Sequence, residues 1–171
     1  MNYFRLLGKW RHIYRVKKAK KIIQKIQLIS STEGGYGKSI LYLRKINPYV
    51  FEELILTAIE NSNIRIYRNK RYSGDGGIDG IFQLKPGKVL IQCKRYSKYI
   101  HQQHVQDFIQ EVHQKYYKGI FVHTGKTGDK SKNLAQFSPK LIILSGSHLI
   151  DVIIGKHTII EKMKILEQYK K

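Results

Sequence analysis

Hydrophobic positions recur along this chain in two periods, and the switch between them marks out the elements. Tyr3, Leu6, Leu7, Trp10, Ile13 and Tyr14 repeat at helical spacing, with Arg5, Lys9, Arg11 and Arg15 on the other face. After Val16 the stripe moves to Ile22, Ile23, Ile26 and Ile29, which predicts a helix that breaks or bends near KKAKK. STEGGYGKS then reads as a loop. From Asn47 the pattern sharpens. Asn47-Pro48 is a capping residue followed by proline at the first helical position, and Phe51, Leu54, Ile55, Ala58 and Ile59 make a buried stripe. NIRIYRNK predicts a short strand, SGDGGIDG a glycine-rich turn, GIDGIFQL a strand, KPGK its hairpin turn and VLIQCKRY the return strand. HVQDFIQEVHQKYY predicts a helix buried through Val105, Phe108, Ile109, Val112 and Tyr116. GIFVHTG and KLIILSG are continuous apolar runs of the kind found inside a sheet, with a short helix over SKNLAQF between them. SHLIDVII and IIEKMKILEQYKK predict two closing helices. Meandering strands followed by strand–helix–strand crossovers imply an α/β fold, a mixed central β-sheet flanked by helices.

Charge adds a partner to this picture. The 171 residues suffice for one domain with a core and an appendage. Thirty-two basic residues face twelve acidic ones, a formal net charge of +20. Self-repulsion of that size points to a polyanion, nucleic acid first and an anionic membrane surface second. Residues 1–46 hold twelve of the basic residues and one of the acidic ones. We therefore expect residues 1–46 to be a basic helical extension and linker, and residues 47–171 to be the main domain. The extension is expected to clamp nucleic acid, to lie on a membrane through Trp10, or to dock a partner or a second protomer. A single cysteine, Cys93, excludes an internal disulfide framework and a cysteine-based zinc site. No apolar run approaches the roughly 18 residues of a membrane span, and no secretory signal is evident, so the expected location is cytoplasmic. GYGKS resembles the end of a phosphate-binding loop, but Thr32 stands where that pattern needs glycine, and no strand clearly leads in. A basic linker is the better reading.

Strand alternation places the chemistry. Asp79 and Ile81 share one face of their strand, and Gln92 and Lys94 share a face of the next. If the two strands pair through the KPGK hairpin, an acid, an amide and an ammonium meet at one sheet edge. Asp79 can hold a hard divalent cation, with the Gln92 side-chain oxygen and the Cys93 backbone carbonyl as further oxygen ligands. Lys94 can orient or deprotonate a water, or stabilise charge growing on a phosphate. Taken alone, Asp79 reads better as a turn residue after glycines, and Asp75 reads as a turn acceptor. His101 and His104 share a helix face but have no third ligand at zinc-like spacing, and His123 reads as structural.

FEELI, GDGGIDG, IQCKRY, GIFVHTG and LIILSGSHLIDVI, in that order, resemble the PD-(D/E)xK nuclease superfamily, and within it the Mrr-type restriction endonuclease catalytic domain. The resemblance covers roughly residues 47–155. It implies a restriction-endonuclease-like core in which Asp79, Gln92 and Lys94 form the D…QxK site. Glu52 would be the helical glutamate that reaches the metal, with Glu53 ranked second. It further implies Mg2+, with Mn2+ as a substitute, and in-line hydrolysis of DNA phosphodiesters that leaves a 5′-phosphate. Arg95 and Lys98, with Lys126 and Lys130 from the basic loop TGKTGDKSKN, would contact DNA phosphates. A double-strand break calls for a homodimer or two binding events. Many relatives carry an additional DNA-recognition domain, and residues 1–46 are short for one, which leaves room for a targeting partner protein. The alternative readings are a non-cleaving DNA-binding module on the same fold, or a resolvase or repair nuclease selecting branched DNA.

Overall fold

The computed structural model describes residues 3–69 and 77–168, with side chains described in all but 3–9, 11 and 115. Twelve elements follow one another among them. Three helices come first: α1 (Tyr3–Ser30), α2 (Gly35–Leu43) and α3 (Pro48–Glu60). Then come β1 (Ile66–Arg68), β2 (Gly80–Leu84) and β3 (Gly87–Lys94). The second half alternates: α4 (Gln102–Lys115), β4 (Lys118–His123), α5 (Asp129–Phe137) and β5 (Leu141–Leu144), closed by α6 (Gly146–Ile153) and α7 (Ile159–Gln168).

The five strands form one sheet in the order β1-β2-β3-β4-β5. The first two pairings are antiparallel and the last two parallel. The meander arises because Lys85-Pro86 turns the chain tightly enough for Leu84 to pair with Gly87. The parallel half arises because α4 and α5 each carry the chain back between parallel strands. One core lies between the sheet and α1, α3 and α6, and includes Ile26, Phe51, Phe82, Ile91 and Ile120. A smaller one lies under α4 and α5, around Leu90, Val105, Phe108, Val112 and Phe121. Among the described residues no helix is long and apolar enough to cross a membrane.

The first helices depart from the sequence pattern. α1 is one uninterrupted helix, because nothing in KKAKK breaks it: Ala19 is fully buried while the lysines around it are exposed. The core-facing stripe is Ala19, Ile22, Ile23 and Ile26, whereas Trp10 and Tyr14 are 68% and 61% exposed. The helix ends where the hydroxyls of Ser30, Ser31 and Thr32 donate to the carbonyls of Gln27, Leu28 and Ile29, at 2.9, 2.8 and 2.9 Å. The expected loop is also corrected, since GYGKS lies inside α2. Tyr36 from that helix donates to Asp151 Oδ1 at 2.6 Å, anchoring it to α6. At α3 the expected cap is present: Asn47 accepts from the Tyr49 amide at 3.0 Å and Pro48 occupies the first turn. The expected glycine-rich turn falls on residues 73–80, of which 73–76, including Asp75, lie outside the described residues.

Candidate active site

Asp79 immediately precedes β2, and its backbone continues the ladder, donating to the Ile91 carbonyl at 3.0 Å. The β2–β3 register pairs Gly80 with Ile91, so Asp79 stands opposite Gln92. The hairpin thus brings together the residues that alternation suggested. The Asp79 carboxylate turns toward β3, and Oδ2 accepts from the Cys93 amide at 2.6 Å. Gln92 is buried, and its Nε2 donates to the Gly77 carbonyl at 2.9 Å, fixing the plane of the amide. Gly77 permits this approach. Its φ is 82°, and a Cβ there would come within 2.2 Å of Gln92 Nε2. Lys94 ends β3, partly exposed and paired in register with His123 of β4.

A fourth group arrives from α3. Burial, reinforced by the charge of Asp79, pushes the Glu52 carboxyl up to about 7 against the opposing pull of Arg15 and Lys94. Asp79 is itself pushed up to about 6 by burial, with the Cys93 amide and Lys94 acting the other way. Two carboxylates, one lysine and one glutamine therefore meet where β2 begins and β3 ends, partly withdrawn from solvent. The adjacent Glu53 is excluded from this group. It is buried and receives Arg68 at 2.8 Å, Thr57 Oγ1 at 3.3 Å and His12 Nδ1 at 3.4 Å, so its role is to join α1, α3 and β1. Cys93 is a buried side chain whose thiol burial drives well above its ordinary range, with Asp79 and Glu52 adding to the effect, which leaves it inert.

The donor chemistry suits a hard divalent cation. Two carboxylates held close in a poorly solvated place resist ionisation, and a bound cation reverses that penalty. Among the described residues no three His, Cys, Asp or Glu side chains are grouped so as to hold a metal ion by themselves. A metal here would draw on Asp79 and Glu52, and on amide and carbonyl oxygens at Gln92 and Cys93.

The cationic residues expected at the rim fall in two places. Arg95 is exposed, and its guanidinium donates to the Arg44 carbonyl. Arg44 in turn donates through Nε to the Thr124 carbonyl at 2.9 Å. Exposed Lys98 and Lys126 lie on two segments that pair in parallel, joined where the Lys126 amide donates to the Lys98 carbonyl at 2.9 Å. Lys130 is on α5, beside a groove shared with α4. His123 is fully buried, held down to about 4 by burial, with Thr127 Oγ1 3.2 Å from Nε2. His101 and His104 flank the Tyr96 ring, and the Tyr96 hydroxyl meets His104 Nδ1 at 2.6 Å. Sequence reasoning did not single out Arg15, Arg44 or Tyr96 for this region. Arg15 and Arg44 stand outside the quoted fragments and Tyr96 closes one of them, and only the packing of α1, and of the segments after β3 and β4, brings them together.

A mixed five-stranded sheet carrying an aspartate, a glutamine and a lysine at one edge defines an α/β core of the restriction endonuclease class. The chain belongs to the Mrr catalytic-domain family of restriction endonucleases, which matches residues 43–153. Its fold is similar to that of the MspJI restriction endonuclease solved in complex with a 27-mer oligonucleotide, with a TM-score of 0.56 and 17% identity over 81% of this chain. The chain spans 36% of the length of that protein. No curated protein matches it.

Proposed function

We propose that this protein is a divalent-metal-dependent DNA endonuclease, hydrolysing phosphodiester bonds in restriction, defence or the processing of mobile-element DNA. The observation that carries this reading is the convergence of Glu52, Asp79, Gln92 and Lys94, from three separate elements, on one sheet edge of a chain in a restriction endonuclease family. Residues 47–171 act as the catalytic unit and residues 1–46 as its basic extension.

Asp79 and Glu52 would hold Mg2+, or Mn2+ in its place, with Gln92 and the Cys93 carbonyl as further oxygen donors. The cation supplies charge neutralisation at the scissile phosphate and acidifies water. The Cys93 amide keeps Asp79 turned to the site, and the Gly77 carbonyl keeps Gln92 in place. The Lys94 ammonium donates to the attacking water and to the phosphate oxygens on which charge builds. Arg95, Lys98, Lys126 and Lys130 contact backbone phosphates beside the cut. One site cuts one strand, so a double-strand break requires a homodimer or two encounters. The oligonucleotide bound to MspJI supports a nucleic-acid partner.

The test is a supercoiled plasmid incubated with the protein in Mg2+, in Mn2+ and in EDTA. Metal-dependent nicking or linearisation is expected from the wild type and not from Asp79→Ala or Lys94→Ala. DNA binding without cleavage under every metal condition would sink the enzyme reading.

A further inference from the structure

α1 contains nine lysines and arginines and no acidic residue over its 28 positions. Such a helix has no internal ion pairs to offset its charge. Among the described residues Lys17, Lys18, Lys20, Lys21 and Lys25 take part in no ion pair with a carboxylate. This charge is not spread evenly over featureless surface. Where α1 crosses the start of α3, Tyr14, Arg15, Lys18, Asn47, Tyr49 and Val50 line a cavity of about 380 Å³, and none of them is acidic.

Two cations are held there on aromatic faces. The Arg15 guanidinium lies 4.7 Å from the centre of the Tyr49 ring, and the Lys18 ammonium 5.7 Å from that of Tyr14. The Tyr14 face holds the Lys18 ammonium in place without neutralising it, so that charge stays available to an anion. The first turn of α3 borders the same groove, but its amides are already bonded to Asn47, so the attraction for an anion there comes from the side chains. Glu52 lies one turn beyond Tyr49 on α3, so the groove adjoins the proposed site. The charge of Arg15 acting on Glu52 agrees with that placement.

We propose that this α1–α3 groove is a phosphate-binding site, in which Arg15 and Lys18 grip the DNA backbone next to the strand being cut. The proposal rests on DNA as the substrate. The extension then supplies contacts on the Glu52 side of the site, while Arg95, Lys98 and Lys126 supply them on the other. An anionic lipid surface offers phosphates too. A groove walled by α3 and adjoining Glu52 favours a strand running into the site over a flat bilayer.

The test is binding of a fluorescent DNA duplex by the full chain in EDTA, read by anisotropy across a series of KCl concentrations. Arg15→Ala/Lys18→Ala is compared with Lys17→Ala/Lys20→Ala, which removes equal charge from the same helix outside the groove. The groove variant is expected to bind at least about tenfold more weakly at 100 mM salt, with a log–log salt slope smaller by about 2, near 0.9 per lost phosphate contact. The control pair is expected to change the slope by less than half as much. The exposed Lys18→Glu substitution, with an unaltered melting temperature, repeats the test if the double variant is poorly folded. Equal effects from the two pairs, or an unchanged slope, overturn the proposal. So does binding to phosphatidylserine vesicles that is lost in the groove variant while DNA binding is kept. Plasmid cleavage by the wild type separates this inference from the nuclease reading. Binding with the expected slope change but no cleavage leaves the groove standing and removes the enzyme. Cleavage with an unchanged slope removes the groove alone. A wild type that does not bind DNA removes both.

Discussion

At the residue scale, each group in the site has a distinct physical duty and a distinct failure. In the proposed mechanism Lys94 provides charge at the reacting phosphate, so Lys94→Ala is expected to slow cleavage about 10²- to 10³-fold, with the melting temperature nearly unchanged. Gly77 acts through its missing side chain. Gly77→Ala places a methyl group where Gln92 Nε2 now lies and demands a positive φ, so Gln92 must move. At least a tenfold loss of cleavage is expected, together with about 1 kcal/mol of stability; wild-type kinetics in that variant would refute the role given to Gln92. Glu52 makes a pH prediction. Its folded value of about 7 lies above the ordinary 4.5, so the folded metal-free chain binds the extra proton. The stability this contributes is fully present below about 4.5 and is lost as pH rises through about 7. Glu52→Gln removes that loss. The variant is expected to gain on the order of 1 kcal/mol over wild type at pH 8, allowing for partial exposure, and nothing at pH 4. Thermal melts at the two pH values check it. Metal binding has the opposite sign, because the ion competes with these protons. Mg2+ affinity, measured calorimetrically, is expected to rise between pH 5 and 8.

At the scale of elements, buried ion pairs hold the helices in register with the sheet edge. Arg68 of β1 lies 2.8 Å from Glu53 and 2.6 Å from Glu60 of α3, which fixes the helix that carries Glu52. Removing the arginine strands the buried Glu53. Arg68→Ala is expected to cost about 3 kcal/mol in urea unfolding, whereas removing both partners in Arg68→Met/Glu53→Gln costs less. A single variant no worse than the double would show that Glu53 is not held as a charge. A second network, with Asp151 accepting from Tyr36 and Lys162 at 2.6 Å each, ties α2 to α6 and α7. This explains why a glycine-containing segment that reads as linker is a helix: its stability comes from tertiary contacts that local propensity does not register.

At the scale of the molecule, a net charge of +20 and a single site per chain set the kinetics. On the proposed function, encounter with DNA is expected to be electrostatically steered, and affinity to fall steeply with salt. If one protomer cuts one strand, nicked plasmid accumulates before linear plasmid. The rate of linearisation is then expected to rise faster than linearly with protein concentration, a dependence that gel assays at several concentrations resolve. Linear product appearing at once, at a rate first order in protein, would mean that a dimer forms before it meets DNA.

Strand and helix periods, the Asn47 cap, the KPGK turn and the Asp79–Gln92–Lys94 alternation were all legible in the sequence, because each depends on neighbours a few residues apart. They determined the mixed sheet and the order of its elements. With the resemblance of five ordered fragments, they determined the family. Other features were decided only by tertiary structure. Which of Glu52 and Glu53 reaches the site depended on Arg68, 15 residues farther along. The burial of Ala19 rather than Trp10, the helical state of α2 and the approach of Arg15 to Glu52 depended on how helices from the basic extension pack against α3 and α6. Periodicity shows that a helix has an apolar face. Which face is covered, and by what, depends on contacts between residues far apart in the chain, and the local pattern does not encode them.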